Sequence, residues 1–312
     1  MPVVRKAVVT AAGQGTRQFP ATHTIQKELI PLVDMDGYSK PTLQVIMEDA
    51  LQSGIEEFCV IANPANAGPI RAHFTGISEE QRAGSFRGKD WALALSDTLH
   101  DIGNRMTIVV QESPQGYGHA VYQAREWAGD EPFVLIVGDH VNISGTDTPC
   151  PRQIVDIYDR FQSPVSSVAR IPAPNMSRYG VCAGRPVEGA TNPSYYMTAM
   201  QEKPSLADAR ERLVTPGLPE DTFLCFYGLH VFPSAVFDCL HYLIEHDIRE
   251  RGEIQMATAQ QMLFESGPYI VSELAGKQLD MGTPDGLIMT QLTLALNSPY
   301  RELVLSLLAS QN

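Results

Sequence analysis

Lys6–Ala11 reads KAVVTA, and Ala12–Pro31 continues it as AGQGTRQFPATHTIQKELIP. The first run is short, apolar and β-branched, which suits a buried strand. Gly13 and Gly15 let main chain approach a ligand closely and turn N–H groups into a shared anion-binding hollow. Arg17 stands two residues beyond Gly15, where its planar fork can grip a phosphate oxygen, and Lys27 follows ten residues later as a mobile point charge. A strand running into such a turn opens an α/β unit of the kind that binds nucleotides. The P-loop pattern GxxxxGK[ST] is absent, and the third glycine of the dinucleotide fingerprint is missing. GxG alone is as often a plain tight turn, so the weight rests on its surroundings.

Downstream, Pro41–Ser53 places Leu43, Ile46, Met47, Ala50 and Leu51 at helical spacing, and Gly54 suits a stop. Phe58–Ala62 (FCVIA) is the next buried strand, and strand, helix, strand implies a right-handed parallel crossover. Residues 64–105 are weakly patterned and read as short helices and loops. Met106–Gln111 is a third strand, His119–Trp127 a helix, and Phe133–Val137 (FVLIV) a central strand ending in Gly138-Asp139-His140. Later strands are expected at Val165–Arg170, Tyr195–Gln201, Phe223–Phe232 and Tyr269–Leu274. Helices are expected at Ile154–Phe161, Ser234–Glu245, Glu253–Glu265 and Asp285–Leu296. No internal repeat or low-complexity linker divides this α/β pattern, so one mixed α/β domain with late insertions is expected.

The chain has 312 residues, with 23 Lys+Arg against 36 Asp+Glu for a net charge of -13. A hydrophobic share of 44% excludes a disordered chain. Without a basic excess, a nucleic-acid coat is not expected either. No stretch approaches the roughly 18 apolar residues that cross a bilayer, and the opening apolar run is too short for a secretory leader, so a cytoplasmic protein without a membrane partner is expected. Cys59, Cys150, Cys182, Cys225 and Cys239 are odd in number and form no CxxC, which fits reduced thiols.

The glycine loop with its downstream KELIP resembles the signature of sugar-1-phosphate nucleotidyltransferases. It is most similar to the bacterial UTP–glucose-1-phosphate uridylyltransferases, whose pattern AGxGTRxxPATxxxxKExxPLVD reads across Ala12–Asp34, with Gln26 standing where that family usually has proline. The resemblance recurs in order at Gln111–Val121 (QESPQGYGHAV), Gly129–Phe133, Glu202-Lys203-Pro204, Gly252–Ala259 (GEIQMATA) and Asp280-Met281-Gly282. It implies a Rossmann-like, three-layer α/β/α fold with a central mixed, mostly parallel sheet. It also implies one domain over residues 1–312, with a nucleotide half to about 150, a sugar-phosphate half over about 151–284 and C-terminal helices from about 285. Homo-oligomers, dimers or tetramers, are implied too.

The reaction so implied joins UTP and glucose 1-phosphate into UDP-glucose and pyrophosphate. Its nucleophile, a sugar-phosphate oxygen, is already anionic, so no general base is needed; catalysis means positioning plus cations. In a chain of charge -13 those cations must be a few placed side chains and a metal. Arg17 and Lys27 then face the triphosphate. Asp139, at the carboxyl end of a strand, is the expected Mg²⁺ ligand, with Asp280 as second candidate, although each has a plain reading as a cap. The sequence here reads GDH, where close uridylyltransferases more often have proline before the aspartate. Gln111 and Gly116 are the implied base contacts, joined by the loop residues Ala11, Ala12, Gly13, Gly15 and Thr16. Gly180, Glu202 and Lys203 are the implied sugar-phosphate contacts. Glu202 and Lys203 reach one ligand only if their strand ends or bends there, which Pro204 favours.

His119 reads as a helix-start or supporting residue rather than an acid–base group, and Glu253 with Gln255 as a helix start. Tyr195 and Tyr196 read as core. The rival activities are thymidylyl or cytidylyl transfer and a non-catalytic sugar-nucleotide-binding protein. A nicotinamide oxidoreductase would need an acid where Asn63 ends the second strand.

Overall fold

Apolar β-branched runs set the strands of the computed structural model, which describes residues 3–310. In chain order these are β1 (Lys6–Ala11), β2 (Pro31–Val33), β3 (Ser39–Pro41), β4 (Glu57–Ala62), β5 (Met106–Val110), β6 (Phe133–Val137) and β7 (His140–Ser144). They continue with β8 (Val165–Pro172), β9 (Gly180–Pro186), β10 (Ser194–Glu202), β11 (Thr222–Phe232), β12 (Ile270–Glu273) and β13 (Gly276–Asp280). One nine-stranded sheet runs β5-β4-β1-β6-β11-β8-β12-β10-β9. β5, β4, β1 and β6 are mutually parallel, β11 is antiparallel to β6, and β8 and β12 are parallel. The sheet is mixed, as the resemblance implied: β10 and β11 run against the other seven strands.

Every residue of β1 is buried, because helices cover both faces. Ala7, Val9 and Ala11 pack with Leu43, Met47 and Ile154 on one side. Val8 packs with Val121, Leu240 and Leu263 on the other. The parallel set brings the carboxyl ends of β1, β5 and β6 to one edge. That edge carries Ala12-Gly13, Gln111 and Gly138-Asp139, and a crevice beside such an edge is where open α/β sheets bind ligands. β9 also returns to pair with β11, so β11, β8, β12, β10 and β9 close a ring of pairings. β7 and β13 form a separate antiparallel ribbon in which His140 stands opposite Asp280.

Several expected elements change. Asp90–Asn104 is one fifteen-residue helix where short helices and loops were expected; Ala92, Ser96 and Ile102 are buried on its inner face, and Leu99 packs against the core beside them. The expected helix over His119–Trp127 is two pieces, Tyr117–Tyr122 and Arg125–Ala128. The expected helix from Glu253 starts at Met256. Ile254 donates its N–H to the Gln115 carbonyl and accepts from Gly118 N–H, and those bonds hold this segment extended against the glycine loop. β7, β9 and β13 had no distinct sequence signal. Cys59, Cys150, Cys182 and Cys225 are buried free thiols, and Cys239 is half-buried. No described helix is long and apolar enough to cross a membrane.

Candidate active site

Gly15 takes a left-handed turn (φ 64°), and the next three residues, Thr16–Gln18, form a single 3₁₀ turn that lifts Arg17 over the sheet edge. Gln18 is buried and donates Nε2–H to the Met281 carbonyl at 2.6 Å, clamping this loop onto the segment carrying Asp280. The third 3₁₀ turn of this loop, Lys27–Leu29, is held by Thr42, whose hydroxyl donates to the Ile30 carbonyl at 2.9 Å. On the far side, Gly138 N–H donates to the Thr10 carbonyl at 3.0 Å and fixes the start of the Asp139 turn. A Cβ on Gly138 would lie 2.4 Å from that same carbonyl oxygen, so this chain has no room for a proline before its aspartate.

These loops meet around Asp139. Lys27 Nζ lies 2.5 Å from Asp139 Oδ2, and Arg17 Nη2 lies 3.9 Å from the same oxygen. Arg17 Nη1 lies 3.5 Å from Asp280 Oδ2, while Gly282 N–H donates to Asp280 Oδ1 at 2.8 Å. Only glycine fits at 282, since a Cβ there would stand 2.3 Å from Asp139 Oδ2. Burial alone would raise the pKa of Asp139, but the adjacent Lys27 ammonium outweighs it and holds the carboxyl below its ordinary value. Burial alone would lower the pKa of Lys27, and Asp139 reverses that too. Both groups are therefore charged at neutral pH.

Ligand-atom candidates of Asp139, His140 and Asp280 all lie within 4.8 Å of one another. His140 does not belong to the donor set. Its Nδ1 accepts the Gly228 N–H at 3.0 Å, offered by a bulge in β11, so a neutral ring carries its proton on Nε2. Burial lowers the pKa of His140 and keeps the ring neutral. That Nε2–H faces Asp280 Oδ1 at 3.7 Å, beyond direct hydrogen-bond length. Two hard carboxylates remain, a set that fits a magnesium ion completed by substrate phosphates. A second acidic trio, Asp34, Asp36 and Glu48, is filled by the Lys40 ammonium at 2.8, 2.6 and 2.7 Å.

Beneath Lys27 sits Glu28, fully buried, with neither carboxyl oxygen hydrogen-bonded. Burial raises its pKa to about 7, against the partial opposition of Lys27. A folded-state pKa above the unfolded one stabilises the fold below about pH 4.5 and loses that stabilisation as pH rises through about 7. Glu28→Gln is therefore expected to gain roughly 3 kcal/mol over the native chain at pH 8 relative to pH 4.5. Urea melts of both proteins at the two pH values check this; parallel pH profiles would refute it.

A cleft of about 540 Å³ opens at this edge. Ala12, Gly13, Arg17 and Lys27 line it from the first loop, Gln111 and Gly116 from the second, and Lys203 and Asp280 from the far wall. Thr10 and Ala12 line the near wall but Ala11 does not: the Ala11 side chain is buried in the core and its carbonyl accepts from Asn66 Nδ2 at 2.7 Å. Gly15 and Thr16 shape the loop behind Arg17. Asp139 lies just behind Lys27. β10 ends at Glu202, and Lys203 takes a left-handed turn (φ 45°) before Pro204, which swings its ammonium into the cleft. Lys203 Nζ lies 3.4 Å from Glu202 Oε1, and Gly180 pairs with Glu202 so closely that a Cβ would meet Oε2 at 2.7 Å.

Arg178, Tyr179, Tyr117 and Glu28 also line the cleft and were not picked out as site residues. Arg178 is a further cation beside the Tyr179-Gly180 turn; its position depends on how β9 folds back, which no local pattern announces. Glu253, read as a helix start, instead lines the cleft from the extended segment before the helix.

The model of the family described as Nucleotidyl transferase matches residues 6–296. A UTP–glucose-1-phosphate uridylyltransferase of Bacillus subtilis (strain 168) is 33% identical over 296 residues, 95% of this chain and 92% of that protein. UTP–glucose-1-phosphate uridylyltransferase 1 of Streptococcus pyogenes serotype M3 is also 33% identical, over 96% of this chain and 91% of that one. Among solved structures, a UDP-glucose pyrophosphorylase complexed with UDP-glucose superposes with a TM-score of 0.75 at 25% identity, over 93% of this chain and 98% of that chain. A UTP-bound UGPase from Acinetobacter baumannii shares the fold with a TM-score of 0.78 at 22% identity, over 98% of this chain and 99% of that one. By fold, site and sequence, the chain belongs to the Nucleotidyl transferase family.

Proposed function

We propose that the chain is a UTP–glucose-1-phosphate uridylyltransferase, moving UMP from UTP to glucose 1-phosphate and releasing pyrophosphate. The observation that carries this reading is the gathering of Arg17, Lys27 and Lys203 in one cleft, with Asp280 on its wall and Asp139 directly behind Lys27, in a chain whose net charge is -13. A phosphate oxygen of glucose 1-phosphate attacks the α-phosphorus of UTP. The bond from that phosphorus to the bridging oxygen breaks, and pyrophosphate departs in line with the electron pair. The obstacle is repulsion between two polyanions, which placed cations relieve at low reorganisation cost.

In this reading Arg17 and Lys27 take the triphosphate and the charge growing on the leaving group. Backbone of Ala12, Gly13, Gly15 and Thr16 cradles phosphate and ribose, and Gln111 with Gly116 meets the base. Lys203 holds the sugar phosphate, and Glu202, beside Gly180, accepts from sugar hydroxyls. Asp139 and Asp280 would hold Mg²⁺, which supplies charge neutralisation on the phosphates when bound. The curated relatives, similar over more than nine-tenths of both lengths, support the substrate pair.

Pyrophosphate release from UTP, dTTP, CTP and ATP, each with glucose, galactose and N-acetylglucosamine 1-phosphates, tests the assignment. UTP with glucose 1-phosphate is expected to be fastest. Faster turnover with dTTP would move the assignment to thymidylyl transfer. UDP-glucose binding with no pyrophosphate from any pair would make the chain a binding protein. Lys203→Ala is expected to raise KM for glucose 1-phosphate at least about tenfold while KM for UTP stays within about twofold, since one charge-assisted contact to a single substrate is lost. Initial-rate kinetics with each substrate varied would show it; equal rises in both constants would count against that role.

A further inference from the structure

Gln111 lies at the end of β5, with its backbone N–H on the Ala62 carbonyl at 2.8 Å. Its side-chain Nε2 donates to the Gly116 carbonyl at 3.3 Å and lies 2.9 Å from His119 Nδ1. The Gly116 carbonyl can only accept, so the amide must turn its nitrogen, not its oxygen, toward it. His119 Nδ1 then receives the second amide hydrogen and must be unprotonated, which puts the ring proton on Nε2. Burial and the nearby Arg249 both lower the pKa of His119 and favour the neutral ring. Gln123 Nε2 lies 3.3 Å from His119 Nε2 and donates to the His119 carbonyl at 3.1 Å.

Both amide hydrogens of Gln111 are thus spent inside the protein. Its carbonyl oxygen is the hydrogen-bonding atom left for a ligand in the cleft that Gln111 lines. An acceptor there matches the N3–H of uracil or thymine. Cytosine carries a lone pair at N3, so the two acceptors would oppose each other.

We propose that His119 is a positioning residue: by accepting one amide hydrogen it holds the Gln111 oxygen toward the base, so that the cleft takes pyrimidines with an N3–H and rejects cytosine. This rests on the reading that the cleft binds UTP. Without His119 the amide keeps one long contact, to Gly116, and is free to rotate and offer N–H to cytosine.

The test is the ratio of kcat/KM for UTP to that for CTP in the wild type, His119→Ala, His119→Phe and His119→Asn. Phe keeps a ring of similar size without an acceptor, while Asn can place an oxygen near the position of Nδ1. The ratio is expected to fall about tenfold or more in the Ala and Phe variants, through a higher KM for UTP. In the Asn variant it should stay within about threefold of the wild type. An unchanged ratio in Ala and Phe, or an equal fall in all three, would overturn the role of His119 while leaving uridylyl transfer intact. Wild-type protein that turns over neither nucleotide would sink the functional reading instead, and this proposal with it.

Discussion

Asp139→Asn is expected to lower kcat by about a thousandfold, the scale of losing a fixed charge at a phosphoryl-transfer centre, while the chain still folds. The carboxylate is almost wholly buried and faces Lys27 at 2.5 Å, with Arg17 and Asp280 close by. Asparagine keeps the volume and one acceptor but loses the charge that a cation would need. Breaking a buried ion pair typically costs about 3–5 kcal/mol. Here the loss should fall below that range, because Lys27 borders an open cleft and its ammonium can turn to water. Steady-state rates and thermal melts of the same preparation separate the two effects. A variant that unfolds at room temperature, or one with near-normal turnover, would contradict this account of Asp139.

Lys27→Met is expected to lower kcat by about a hundredfold to a thousandfold, because it removes a placed cation from the departing pyrophosphate. It carries a second signature. Lys27 is the largest influence holding the Asp139 pKa down against burial. With Lys27 gone, burial prevails and the Asp139 pKa rises. The acidic limb of the pH–rate profile should therefore move to higher pH in Lys27→Met. A profile of wild-type shape at lower amplitude would detach Lys27 from Asp139.

The parts of the fold that read correctly are those whose local pattern and final burial agree. KAVVTA over Lys6–Ala11 and FVLIV over Phe133–Val137 are strands with the expected ends, since a strand buried on both faces must be apolar throughout. The Asp90–Asn104 helix went unread as one element because two of its three buried positions, Ala92 and Ser96, are small and add little apolar signal to Ile102 and the flanking Leu99. Glu253 was assigned to a helix because acids favour helix starts, but hydrogen bonds to Gln115 and Gly118 compete for the same backbone and win.

The site follows the same division. Arg17, Lys27 and Asp139 sit in motifs whose chemistry is written in residue type, and the turn at Lys203 was foreshadowed by Pro204. The support beneath them was not legible. His140 meets Asp280 only because β7 pairs with β13, and the Gly228 N–H that sets its tautomer comes from a bulge in a third strand. Contacts across such separations belong to topology, and no window of sequence contains them.

The most direct measurement of the central claim is a crystal of the protein with Mn²⁺, glucose 1-phosphate and a UTP analogue whose α–β bridge is a methylene group. The account predicts an anomalous manganese peak between the carboxylates of Asp139 and Asp280, the triphosphate against Arg17 and Lys27, and the sugar phosphate on Lys203. Manganese bound elsewhere, or the two phosphates in separate parts of the molecule, would contradict it.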